Sequence, residues 1–218
     1  MALIRSVFQD ELDSVSQSLV DLTEMVSISM SKATRAMLTR DLKLAEEVIA
    51  EDEKIDEYQH EIDNRIIDII ARQQPVASDL RALVAALRMG SDLERMGDLA
   101  EHVAKITRLR HPDSAVPVEL IQTITAMGEA AEKIIIKTGV VIATRDTEMA
   151  IQVEKDDDVM DKLHRELIGV LIEPNWPHGI ESAIDLTLLG RYYERYADHA
   201  VSISRRVYFL VTGKYASL

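Results

Sequence analysis

The sequence predicts an all-α fold of six helices, arranged as two tandem-repeat three-helix bundles related by a pseudo-twofold duplication. Three observations carry this. Among 218 residues there are only 5 Pro and 8 Gly, and aromatics make up 4%, so the core must be aliphatic and long uninterrupted helices are permitted. Apolar residues recur in alternating steps of four and three, as in Leu189, Tyr193, Tyr196, Ala200, Ile203, Val207 and Leu210, which is a heptad stripe. The chain also repeats itself. Thr39-Arg40-Asp41 returns as Thr144-Arg145-Asp146, an offset of 105. Glu94-Arg95 and Asp98 return as Glu194-Arg195 and Asp198, an offset of 100. The second copy is therefore shorter by five residues, lost between helices.

Chain breakers divide the sequence into helices near 4–38, 42–72, 77–109, 117–143, 147–172 and 180–211. Asp41 and Asp146 follow short turns and read as N-caps, because a carboxylate there can accept from the first free backbone N–H groups. Gln73-Gln74-Pro75 ends the second helix, and Ser78 opens the third. His111 to Pro117, with two prolines and an Asp-Ser pair, is the linker, giving bundles over 1–111 and 112–218. Pro174, Pro177 and Gly179 mark the last turn. Within the third helix, Met89, Leu93, Met96, Ala100 and Val103 form the core stripe; Ile55, Tyr58 and Ile62 of the second match Met160, Leu163 and Leu167 of the fifth. The two bundles pack side by side or end to end.

Composition excludes several functions. A net charge of −13 opposes binding to a nucleic-acid backbone or an anionic lipid surface. There is no Cys, so neither disulfides nor thiolate metal ligands exist. No apolar run is long enough to span a bilayer, and Met1 to Asp21 has no apolar signal core, so the expectation is a cytoplasmic protein without membrane insertion. No Gly-flanked Ser and no Walker-type glycine loop is present, so catalysis finds no support and a non-enzyme is expected.

Four acidic pairs stand out: Asp52/Asp56 with Glu94/Asp98, and Asp157/Asp161 with Glu194/Asp198. Each is spaced i,i+4, which puts both carboxylates on one helix face at a repulsive cost of about 0.2–0.5 kcal/mol. A sequence that repeats this cost at equivalent positions invites a cation to offset it. Oxygen donors without thiolates suit hard or borderline ions: Mg²⁺, Mn²⁺, Ca²⁺ or iron. With Ile55 and Leu93 at a, the acids fall at b, e and f, outside the core. The expectation is two surface grooves, one per bundle. His60 and His102 extend the acidic stripes by four residues, but Arg165 and Ser202 stand there in the second copy, so they are at best accessory ligands. Solvated acids on a plain helical scaffold remain an alternative. Arg81, Arg88 and Arg95 recur at sevens, a pattern that points to intramolecular salt bridges, and no basic nest demands a phosphate ligand.

The segments Gln73-Gln74-Pro75-Val76-Ala77-Ser78-Asp79-Leu80-Arg81 and Asp92-Leu93-Glu94-Arg95-Met96-Gly97-Asp98 resemble the PhoU family of bacterial phosphate-signalling proteins. Tyr193-Glu194-Arg195-Tyr196-Ala197-Asp198-His199-Ala200 and Tyr208-Phe209-Leu210-Val211-Thr212-Gly213 match the same family, and the similarity covers essentially the whole chain. Two departures stand out: Leu99 follows Asp98 where the family often has His, and Ala197 replaces a Gly. The resemblance implies metal-binding motifs at Asp52, Asp56, Glu94, Asp98, Asp157, Asp161, Glu194 and Asp198, with iron, manganese, magnesium or zinc as cofactor. At the fifth helix Asp156 competes with Asp157 for the register. The resemblance further implies a homodimer that regulates phosphate uptake, with the ATPase subunit of a phosphate ABC transporter and a sensor histidine kinase as partners. The competing reading is a ferritin-like di-iron or metal-storage bundle, prompted by Glu57-x-x-His60. It requires those side chains to point into a four-helix core.

Overall fold

The computed structural model describes the backbone of residues 2–214 and the side chains of residues 8–214. Six α-helices follow one another: α1 (Ala2–Thr39), α2 (Leu42–Gln73), α3 (Ala77–Arg110), α4 (Ile121–Thr144), α5 (Thr147–Leu171) and α6 (Gly179–Thr212). No strand occurs among the described residues. The boundaries match the breakers to within two residues, except at α4. There Pro117 leads into a short 3₁₀ turn, Val118–Leu120, and the α-helix begins only at Ile121.

The repeated turns show why the duplication reads so clearly. Arg40 and Arg145 both adopt left-handed backbone, at φ 58° and 56°. The Asp that follows each starts the next helix: Asp41 accepts from Leu44 N, and Asp146 from Glu148 N and Met149 N. Such a cap contributes about 1 kcal/mol and offsets the strained arginine before it.

α1, α2 and α3 form one bundle and α4, α5 and α6 the other. The bundles lie side by side, joined through α1 against α4 and α3 against α6. Those four helices form the middle of the molecule, while α2 and α5 contact only their own bundle. The apolar core runs through both bundles without a break, from Leu19 and Leu22 of α1 to Leu189 and Ile203 of α6. Two fully buried tyrosines tie it across the bundle boundary. Tyr193 OH lies 2.7 Å from Thr34 Oγ1, and Tyr196 OH donates to the Val26 carbonyl at 3.4 Å. A buried phenol needs such a partner, since an unpaired hydroxyl costs about 1–3 kcal/mol.

The buried stripe of α2 corrects the heptad frame. It runs Val48, Asp52, Ile55, Gln59, Ile62, Ile66, Ile69, with Gln59 inside and Tyr58 only half-buried. The stripe is thus one residue off the frame set by Tyr58, and the shift carries Asp52 inward. Asp52 is 8% exposed, a core position rather than a groove flank.

Candidate functional site

Each bundle gathers its four acids where its outer helix meets its third helix. In the first, Asp52 and Asp56 of α2 face Glu94 and Asp98 of α3, with Glu101 as a fifth acid that the sequence reading missed. In the second, Asp157 and Asp161 of α5 face Glu194 and Asp198 of α6. Glu101 has no acidic counterpart there, because Val201 stands at its place.

Close helix packing creates the first site. Gly97 faces α2, and a Cβ added to it would stand 3.1 Å from Asp52 Oδ1 and 3.0 Å from Ile55 Cγ2. The missing side chain lets Asp52 sit against the α3 backbone. In the second copy Ala197 occupies this position and is fully buried.

Crowding and burial act on the same carboxylates. Burial, then the charges of Glu101, Asp56 and Asp98, push Asp52 up to about 7. Burial, then Asp161, Asp198 and Glu194, push Asp157 up to about 7 as well. Asp56 and Glu94 are also raised, by burial first and by neighbouring acids second. The inner oxygens of Asp52, Asp56 and Asp157 are buried without a hydrogen-bond partner. Buried polar atoms are nearly always satisfied, and Asp52 and its repeat counterpart Asp157 share this exception, as does Asp63 outside the quartets.

The outer carboxylates are engaged elsewhere. Arg95 bonds to Asp98, Arg191 to Glu194, and Arg165 to Asp161, the last at 3.4 Å. Among the described residues no three His, Asp or Glu side chains already converge on one ligand position. These arginine pairs lie at the surface, where an ion pair is worth about 0–1 kcal/mol, so a cation can displace them cheaply.

The neighbouring residues separate into distinct roles. Asp156 points away from the second quartet to Lys133, 3.2 Å away, and to Lys137. Asp157 is the residue that faces the quartet. His60 and His102 are exposed, and each bonds through Nδ1 to the backbone carbonyl four residues back, at Asp56 and Asp98. His199 turns to Asp92 of α3 at 3.0 Å. Glu57 and His60 are both exposed, so the Glu-x-x-His spacing forms no inward di-iron ligand set.

The PhoU domain family model matches residues 19–107 and again 124–207, one match per bundle. The chain belongs to the PhoU family. The chain is 43% identical to "Phosphate-specific transport system accessory protein PhoU homolog 2" of Mycobacterium bovis over 97% of this chain and 100% of that one. Its identity to "Phosphate-specific transport system accessory protein PhoU homolog 1" of Mycobacterium leprae is 42%, covering 97% and 96%. The crystal structure of the phosphate transport system regulatory protein PhoU from Streptococcus pneumoniae superposes with a TM-score of 0.87 at 27% identity, over 97% of this chain and all of that one. No helix among the described residues of this PhoU-family chain is long and apolar enough to cross a membrane.

Proposed function

We propose that this chain is a cytoplasmic, non-enzymatic regulator of phosphate uptake. It acts as a homodimeric adaptor between the ATPase subunit of a phosphate ABC transporter and a sensor histidine kinase. Family membership and the names of its relatives support the phosphate-transport role. The acidic sites supply a way to modulate it. Asp52, Asp56, Glu94 and Asp98 in one bundle, and Asp157, Asp161, Glu194 and Asp198 in the other, would hold divalent or trivalent cations.

The observation that carries the cation reading is the orphaned inner oxygen at Asp52 and its repeat at Asp157. A bound cation supplies positive charge to a pocket whose own side chains repel one another. All the donors are oxygens, which fits magnesium, manganese or iron, and also zinc bound through carboxylates. The chain's own part would be to hold Asp52 in the buried stripe of α2 and Asp157, half-buried, at the equivalent place on α5. The outer carboxylates, once released from Arg95, Arg191 and Arg165, would supply further oxygen donors.

Metal analysis of protein purified without chelator tests the sites. Stoichiometric metal that disappears in Glu94→Ala and Glu194→Ala is expected, and metal-free protein contradicts the reading. Affinity capture from phosphate-replete cells tests the adaptor role: recovery of neither the transporter ATPase nor the kinase sinks it. Light scattering on the purified chain checks the dimer.

A further inference from the structure

Repeat symmetry gives α3 and α6 two equivalent contact regions, and their chemistry is opposite. In one, Arg110 of α3 is clamped by Glu181 and Asp185 of α6, with Nη2 to Asp185 Oδ1 at 3.1 Å. A shift of 100 residues turns Arg110 into Leu210, and takes Glu181 and Asp185 back to Arg81 and Ala85. The clamp is thereby dismantled, both its acids being lost and one replaced by a cation. In its place lies a cleft of about 380 Å³, between the first half of α3 and the last half of α6.

Arg81, Arg88, Arg205 and Arg206 line this cleft. Arg206 is anchored to Asp92 at 3.2 Å, and Arg205 pairs with Glu154 at the surface. Arg81 lies over the Phe209 ring, 5.8 Å from its centre. Arg81 and Arg88 form no ion pair among the described residues, in a chain of net charge −13 where carboxylates outnumber cations 38 to 25. Val84, Phe209 and Leu210 supply an apolar wall, and Asp157 and Asp198 line the cleft as well.

We propose that this cleft binds a small organic phosphate. Its phosphate is taken by Arg81, Arg88 and Arg205, and its uncharged body lies on Val84, Phe209 and Leu210. Guanidinium forks match phosphate oxygens two at a time, and Arg81 and Arg88 bring two forks that no carboxylate pairs with among the described residues. The volume falls in the range of small-molecule sites and is far larger than an inorganic phosphate needs. The exposed Arg205–Glu154 pair gives way readily, since such a pair contributes little. This inference rests on the geometry of the cleft; Asp157 and Asp198 belong to the second acidic quartet as well, so the test keeps that quartet free of cations.

Isothermal titration of the full chain in EDTA, with ADP, inorganic phosphate and adenosine as probes, tests it. ADP is expected to bind at least about tenfold more tightly than either fragment, as both ends of the cleft contribute. Arg81→Gln and Arg88→Gln should each weaken ADP by about tenfold, the loss expected for one charged hydrogen-bonding partner. Both side chains are exposed, so melting curves should match the parent. Arg65→Gln, on exposed α2 surface, should leave binding within about twofold of the parent. No ADP binding up to about 5 mM overturns the site. So does ADP binding that survives the Arg81→Gln/Arg88→Gln double variant, or that Arg65→Gln weakens equally. Inorganic phosphate binding as tightly as ADP overturns the apolar wall's part.

Discussion

The two halves of this molecule share a backbone plan and differ in what they do with charge. In the first, Gly97 lets Asp52 into the core, a fifth acid crowds the site, and Arg110 locks α3 to α6. In the second, Ala197 replaces the glycine, the fifth acid is gone, and the place of the lock is an arginine-lined cleft. Across the duplication the paired carboxylates recur, while Gly97, Glu101 and Arg110 give way to Ala197, Val201 and Leu210. The difference teaches that the quartets are what the halves share, and that the α3–α6 contact is where their chemistry differs.

The largest break in this comparison should come from Arg110→Gln. Asp185 is 4% exposed and would be left as a buried charge without its partner. Loss of about 3–5 kcal/mol is expected, measured by denaturant unfolding. The equivalent Leu210→Ala in the second half should cost only about 1 kcal/mol, because it removes partly buried apolar area and no charge pair.

Next in size is the pH dependence. Asp52 and Asp157 are each raised to about 7 in the fold, against the usual carboxylate value of 3.8 when unfolded. Their contribution is present below pH 4 and is lost as pH rises through 7. In EDTA the protein should therefore lose stability between pH 5 and pH 8, on the order of 1–3 kcal/mol per group. Asp52→Asn and Asp157→Asn should each remove about half of that fall. A divalent cation should restore the melting temperature at pH 8 in the parent, and less in either variant. A flat profile in the parent contradicts the crowding described for both quartets.

Gly97→Ala should cost about 1–3 kcal/mol, since the new Cβ meets Ile55 and Asp52. Ala197→Gly in the other half should cost only about 0.5–1 kcal/mol, through backbone entropy. The smallest effect belongs to Arg95→Gln. Its pair with Asp98 is exposed, so stability should move by less than about 1 kcal/mol. Cation affinity of the first site should rise, because Asp98 is released towards Asp52 and Asp56; an unchanged affinity by calorimetry would count against that competition.

Much of this was legible in the sequence because it is local. Asp41 and Asp146 cap the helices they precede, and the breakers at Pro75 and Pro117 bound the elements as expected. The gathering of each quartet followed from i,i+4 spacing plus the repeat. The burial of Asp52 was not legible. The α2 stripe holds two polar residues, Asp52 and Gln59, so the apolar pattern led to Tyr58 and an outward frame. The cleft was hidden for another reason. Arg88 and Arg205 lie more than a hundred residues apart and meet only through the docking of α3 on α6. One signal was available: Glu181 and Asp185 do not recur in the first copy, where Arg81 and Ala85 stand.

The unbroken core has a consequence for how this duplicated chain can change. Tyr193 and Tyr196 reach across to Thr34 and Val26, so each half supplies part of its sibling's interior. The repeat is a unit of ancestry and not a unit of stability. A cut at residue 111 would strip both pieces of the surface that shields α1 and α6 from water. Substitutions on α1, α3, α4 and α6 must therefore suit both halves at once. Those on α2 and α5, which answer to one bundle each, can drift separately.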